Sequence, residues 1–211
     1  MQGTHVVVTG GRGALGRGVV ELLSSKGAIV HVADRPDVSL DSEEAAVAYY
    51  AALPELWASI HLVGGFAMAP ITETSLADFE GQWRLNTVTC FLSCREAVKR
   101  MKKSGGGRIV NVASRPVVEP AGGANKIAYT SAKAAVASIT QSLAAEVLGA
   151  NILVNAILPS TIDTPANRAA MPQADFSKWP TPAQIAETVA FLASPENTLT
   201  TGTLVPVYGR G

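Results

Sequence analysis

Cysteine is nearly absent. The 211 residues hold two, Cys90 and Cys94, too few for the disulfide framework of a small secreted domain. Their four-residue spacing fits packing on one face of a helix, where they carry no chemistry, and a reducing, cytoplasmic setting is expected. Neither sign of charge is in excess, with 17 Lys and Arg against 17 Asp and Glu. That leaves no basic field to hold a nucleic-acid backbone, so nucleic acid is not expected as a partner. Long apolar runs are missing too. The longest uncharged one, LWASIHLVGGFAMAP, is interrupted by two glycines and is shorter than a bilayer span requires. Residues 1–9 run straight into a strand, so neither an export signal nor a membrane anchor is expected. His5, His31 and His61 lie in or beside strand-like runs with no second ligand at metal spacing, and no metal is expected.

What is present is a rhythm. Runs rich in Val and Ile recur as HVVVTG, AIVHVAD, SIHLVGG, RIVNVAS, ILVNAILP and TLVPVYG, most of them separated by an amphipathic stretch of helical period. Near-continuous apolar strands alternating with helices predict an α/β domain built on a parallel sheet covered on both faces. Right-handed crossovers then give a Rossmann-like, doubly wound arrangement, with residues 1–211 as a single domain. The rhythm falters after Asp34, where RPDVSLDSEE leaves room for at most a short strand.

The first turn, TGGRGALG, places Gly10, Gly13 and Gly16 between a strand and a helix start, a GxxGxxG spacing. Glycine lets the backbone turn tightly and approach a pyrophosphate, which the free amides of the helix start, Leu15 among them, would meet. Asp34 ends the second strand, where a carboxylate can accept both hydroxyls of an adenosine ribose. This points to NAD(H) as the preferred cofactor. Arg12 and Arg35 are the groups that leave NADP(H) possible. The plain alternative for Asp34 is a turn residue or helix cap. Further on, STIDTPANRAAMPQADFSKWPTP is a long Pro-punctuated segment, read as a substrate lid around residues 160–182 in preference to a surface connection. Trp179 within it is a better substrate contact than Trp83, though aromatic packing is the ordinary use of both.

Tyr129 and Lys133 stand four apart in AYTSAKAAVASITQSLAAEV, so they share one helix face. A free phenol titrates near ~10, and a neighbouring ammonium favours its ionised form, so Lys133 is expected to draw the Tyr129 pKa toward neutrality. With Ser114 in NVAS and Asn86 in WRLNTVTCFLS upstream, the whole chain resembles the short-chain dehydrogenase/reductase family. The resemblance implies that Tyr129 exchanges a proton with the substrate oxygen and that Ser114 hydrogen-bonds that oxygen. It implies also that Lys133 lowers the Tyr pKa and holds the nicotinamide ribose, while Asn86 supports a water relay. In ILPSTIDTP it implies that Pro159 and the Ile162 backbone hold the carboxamide, with the Thr164 hydroxyl nearby.

Several positions depart from the usual family pattern. Ala14 replaces a closely spaced glycine, LVGGF with Gly64 and Gly65 replaces Asn-Asn-Ala-Gly, and Ser160 follows Pro159. Ser114 also lies about two residues further from Tyr129 than is usual. GGRGALG, the double glycine and LPSTIDTPANRAAMPQADFSKW are similar to the dihydropteridine reductase branch, which as a rule lacks counterparts of Ser114 and Asn86. The resemblance therefore implies an NAD(H)-dependent oxidoreductase acting on a small carbonyl or alcohol. Quinonoid dihydropterin reduction is the alternative, and a dinucleotide-sensing regulator without turnover is an alternative of another class. It also implies a homodimer or homotetramer, since the helices carrying Asn86 and Tyr129 have apolar faces a partner can cover.

Overall fold

The computed structural model describes residues 1–210. Six strands form one parallel sheet: β1 (His5–Thr9), β2 (Ile29–Ala33), β3 (Ala58–His61), β4 (Gly107–Val112), β5 (Ile152–Pro159) and β6 (Leu204–Val207). Their order across the sheet is β2-β1-β3-β4-β5-β6. All six expected runs are strands, and the stretch after Asp34 holds none before α2 (Glu43–Ala52). The chain there is occupied by turns and by the Ser42 cap of α2, whose side chain accepts from the Ala45 amide. Register aligns the carboxyl ends, with Thr9 opposite both Ala33 and His61, and Val112 opposite Ile157.

The strand period of two divides the core into two layers. Val6 and Val8 of β1, with Ile60, Val110 and Ile157, pack against α1 (Ala14–Ser25) and α7 (Pro182–Ala193) through Val19, Leu23, Ile185 and Val189. On the opposite face Val7, Ile109, Val154 and Leu158 meet α2, α4 (Thr89–Met101) and α5 (Ile127–Val147) through Tyr50, Leu92, Cys94 and Val136. Each fully buried Ile, Leu or Val contributes ~1.5–3 kcal/mol, so both layers are needed to hold the sheet.

Capping residues set where several helices begin. Ser75 and Asp78 form a capping box at α3 (Leu76–Trp83), and Thr181 and Gln184 do so at α7 behind Pro182. Between α3 and α4 the chain stays helical but widens into a five-residue π-turn, Arg84–Val88. Such insertions are rare and concentrate at functional sites.

At the β1–α1 junction backbone packs directly against backbone. Gly10 has φ +68°, and a Cβ added to Gly16 would lie 2.2 Å from the Gly10 carbonyl oxygen. The obstruction is backbone, so the turn itself must open to admit a methyl group. Gly16→Ala is therefore expected to cost ~3 kcal/mol, read as a lower urea midpoint. A variant as stable as the parent chain would contradict this packing.

Candidate active site

The carboxyl ends of β1, β2 and β3 surround a cavity of about 410 Å³, lined by Gly10, Arg12, Gly13, Asp34, Leu62 and Gly64 among others. It lies where the strand order reverses, between β1 and β3. Gly13 caps α1 in an extended conformation and offers no side-chain acceptor, so the first-turn amides, that of Leu15 included, are left for another acceptor. The Leu15 side chain packs into the α1–α7 core layer, so only its backbone can serve a ligand. Free first-turn amides suit a pyrophosphate, and the turn that presents them needs its glycines, because a Cβ on Gly10 would come within 2.9 Å of the Val63 nitrogen and one on Gly16 would fill the turn.

Asp34 follows β2 directly, at the cavity wall. Its carboxylate accepts the amides of Arg12 at 3.0 Å and Arg35 at 2.9 Å. Neither guanidinium reaches toward it. Arg12 hydrogen-bonds the Arg35 carbonyl at 2.9 Å and pairs with Asp37, while Arg35 pairs with Asp41 at 3.0 Å. Asp41 also receives Arg84 at 3.1 Å. Hydrogen bonds from Ser39, then from Arg35 and Arg84, hold the Asp41 carboxyl down at about 2.

Ser114, Tyr129, Lys133 and Asn86 come together beyond the end of β4. Ser114 lies just past β4, and its Oγ is buried without a hydrogen-bond partner of acceptable geometry among the described residues. It stands beside Tyr129 and in part offsets the burial that raises the Tyr129 pKa. Burial dominates, so the net direction is upward. This corrects the expectation that Lys133 draws the phenol toward neutrality: the i, i+4 spacing gives proximity along a helix but not the desolvation of the site. Lys133 is itself only 6% exposed. Its Nζ donates to the Val112 carbonyl at 2.8 Å, and burial lowers its pKa to about 8 against the opposing influence of Cys90.

Asn86 occupies the π-turn and clamps the loop after β3. Its Oδ1 accepts from the Gly65 amide at 3.2 Å, while Nδ2 donates to the Gly65 carbonyl at 3.1 Å and to the Gln82 carbonyl at 3.0 Å. A Cβ on Gly64 would lie 2.7 Å from Asn86 Oδ1 and 3.2 Å from Lys133 Nζ. Gly64, Asn86 and Lys133 therefore converge on one point, which requires glycine at 64.

Pro159 ends β5, and the residues beyond it form short helical turns in place of a loose loop. Thr164 caps α6 (Pro165–Ala170) by accepting the Asn167 amide at 3.2 Å, and the Ile162 carbonyl accepts Asn167 Nδ2 at 2.8 Å. The Ile162 side chain packs into the α1–α7 layer. Arg168 forks onto Asp163 at 2.6 and 2.8 Å and lies over the Phe176 ring, which in turn meets Trp179 at 5.0 Å. Trp83, by contrast, stacks on Phe79 within α3.

Sequence reasoning missed Phe66, whose ring meets Tyr129 edge-on at 5.1 Å and 73°. It missed too the Val112 carbonyl that anchors Lys133. Phe66 follows the double glycine at the end of β3, which was a usable signal. A backbone carbonyl leaves none in a sequence.

An oxidoreductase of the dinucleotide-binding α/β type is the class that this fold and crevice define, and comparison with known proteins makes it specific. A family profile described as enoyl-(acyl carrier protein) reductase matches residues 1–209. The chain is 30% identical to 2-dehydro-3-deoxy-L-rhamnonate dehydrogenase (NAD(+)) from Sphingomonas sp., over 98% of its own length and 94% of that protein. It also matches an uncharacterised short-chain type dehydrogenase/reductase from Sinorhizobium fredii at 30% identity, over 98% of this chain but only 43% of that longer protein. The structure of a 3-ketoacyl-(acyl-carrier-protein) reductase from Brucella melitensis, complexed with NADH, superposes with a TM-score of 0.88 at 23% identity, covering 99% of this chain and 98% of that one. The chain belongs to the short-chain dehydrogenase/reductase family, and its relative from Sphingomonas is named as a dehydrogenase.

Asn86→Ala would leave the Gly65 amide and carbonyl without their partners. The expected cost is about 1–2 kcal/mol, seen as a lower urea midpoint with an unchanged slope. An unchanged midpoint would contradict the clamp.

Proposed function

We propose that this protein is an NAD(H)-dependent oxidoreductase that interconverts a small carbonyl compound and its alcohol, with Tyr129 as the proton donor and acceptor. The observation that carries this reading is the buried Ser114 hydroxyl beside the Tyr129 phenol, just past the strand whose last carbonyl holds Lys133. A hydroxyl and a phenol side by side can both hydrogen-bond one substrate oxygen. Tyr129 then gives its proton to that oxygen in reduction and takes it back in oxidation, while Ser114 stabilises the charge that develops. Lys133, held by Val112, keeps a positive charge next to the reacting atoms, and Asn86 fixes the Gly64–Gly65 loop over them.

Gly10, Gly13, Gly16 and the Leu15 amide hold the pyrophosphate in this reading. Asp34 holds the adenosine ribose, Lys133 the nicotinamide ribose, and Pro159, Ile162 and Thr164 the carboxamide. Gly64 and Gly65 line the passage between the two halves. When bound, the nicotinamide ring supplies or receives the hydride. NAD(H) is favoured over NADP(H) because Asp34 would face a ribose phosphate while both neighbouring guanidiniums already hold carboxylates. The chain's relative from Sphingomonas is named for NAD(+).

A quinonoid dihydropterin is the second substrate reading: the Phe176 and Trp179 rings pair in the segment after β5, and aromatic rings of this kind stack on a flat heterocycle. We infer also a cytoplasmic homodimer or homotetramer packed through α4 and α5, where Phe91 is 49% exposed. Light scattering at micromolar concentration should then exclude a monomer.

NADH oxidation followed by absorbance, first with quinonoid dihydropterin and then with small ketones, tests the reading. Tyr129→Phe should lower turnover by at least ~100-fold while NADH binding persists. Loss of binding together with turnover, or no loss of either, would sink the assignment. Asp34→Ala should reduce the preference for NADH over NADPH about tenfold or more, and an unchanged ratio would remove Asp34 from the ribose site. For reduction, kcat/KM should decline as pH rises through about 8, where Lys133 loses its proton in the free enzyme. A level profile across roughly pH 7–10 would contradict the role of its charge.

A further inference from the structure

Between β3 and α4 the interior holds three side chains that the reaction above does not use. His61 at the end of β3 is 4% exposed, and Cys90 and Cys94, one turn apart on α4, are 4% and 3% exposed. Their ligating atoms all lie within 4.8 Å of one another. Cys94 Sγ is 3.5 Å from His61 Nδ1 and 3.5 Å from Asn111 Oδ1, and that oxygen is 2.7 Å from Nδ1. We propose that His61, Cys90, Cys94 and Asn111 form a closed structural site for zinc or a similar thiophilic divalent ion, pinning α4 to β3 and β4.

The spacing fits. Ligands on a tetrahedral zinc stand roughly 3.3–3.8 Å apart, so the widest pair here closes by about 1 Å, while His61 Nδ1 and Asn111 Oδ1, now 2.7 Å apart, open by about 0.6 Å. Nitrogen and sulfur are the ligand types zinc favours, and the protein donors fill the tetrahedron, which is the mark of a structural site. Charge fits as well. Two thiolates cancel a divalent cation, so the complex is neutral and tolerable in an apolar interior, where a lone ion would not be. On binding, two S–H bonds give way to two metal–sulfur bonds, the two protons leave to the buffer, and no electron changes hands.

The surrounding hydrogen bonds permit the change. Thr140 donates to the Val136 carbonyl at 2.8 Å, so it accepts from Asn111 Nδ2 at 2.9 Å and fixes Oδ1 toward His61. Without metal, His61 Nδ1–H donates to Oδ1, and Nε2 accepts from Ser59 at 2.8 Å. Ser59 and Tyr50, 2.9 Å apart, can each donate to the other. Turning both hydroxyls lets Nε2–H donate to Ser59 and frees the Nδ1 lone pair for the ion, an outer-shell arrangement that orients a metal-bound imidazole. None of this is legible from the histidine spacing, because the ligands come from two strands and a helix spread between residues 61 and 111.

Because the ligands are buried, the ion is expected to enter as the chain folds. The full-length protein should be expressed with added zinc, purified under reducing conditions and assayed for metal, and separately refolded from urea with Co²⁺. The site predicts close to one zinc per chain. It also predicts a thiolate-to-cobalt charge-transfer band with the strong visible bands of a tetrahedral ion. Cys90→Ser and Cys94→Ser should each lose metal and band while keeping the parent's far-ultraviolet circular dichroism. Metal retained by both variants would overturn the proposal. So would a parent chain that takes up no zinc and shows no thiolate band with cobalt, whatever the variants do, as would a Cys90–Cys94 disulfide in place of two metal-bound thiolates.

Discussion

Because all six strands run in one direction, their carboxyl ends share one edge of the sheet, and the reversal of order between β1 and β3 leaves a crevice there that no crossover covers. Each of the first five strands brings a candidate residue to its carboxyl end: Gly10 after β1, Asp34 after β2, Gly64 after β3, Ser114 after β4 and Pro159 closing β5. Residues far apart in sequence are thus brought to one rim by the register alone. The helices add what the strands cannot, an uncapped amide turn from α1 and the Tyr129–Lys133 face from α5.

The second constraint is desolvation. Asn86, Ser114 and Lys133 are nearly excluded from water, so each must find a partner inside the protein or in a ligand. Asn86 is satisfied by the Gly65 backbone and Gln82, and Lys133 by Val112. Ser114 has the Tyr129 phenol beside it. The same burial lifts the Tyr129 pKa and lowers that of Lys133, moving both toward their neutral forms.

Much of this was legible before any coordinates. The apolar runs found every strand because parallel strands covered on both faces are apolar throughout, and the missing strand after Asp34 showed as a lack of room. The order of Gly-rich turn, Asp34, Asn86, Ser114, Tyr129 and Lys133 carried the family resemblance. The rest was hidden for physical reasons. The π-turn at Asn86 has no side-chain signature, and the direction of the Tyr129 shift depends on burial, which spacing does not report. The His61, Cys90 and Cys94 cluster depends on how α4 lies across β3 and β4, which no local pattern contains.

In the proposed reading, the crevice at the carboxyl ends of the strands holds a dinucleotide with its reactive ring at Tyr129. A crystal structure of the protein with NAD⁺ tests it most directly. The account predicts both adenosine ribose hydroxyls within hydrogen-bond reach of the Asp34 carboxylate, the pyrophosphate on the Gly13–Gly16 turn, and the nicotinamide ring beside Ser114 and Tyr129. A dinucleotide bound elsewhere, or bound there with its nicotinamide directed away from Tyr129, would contradict it.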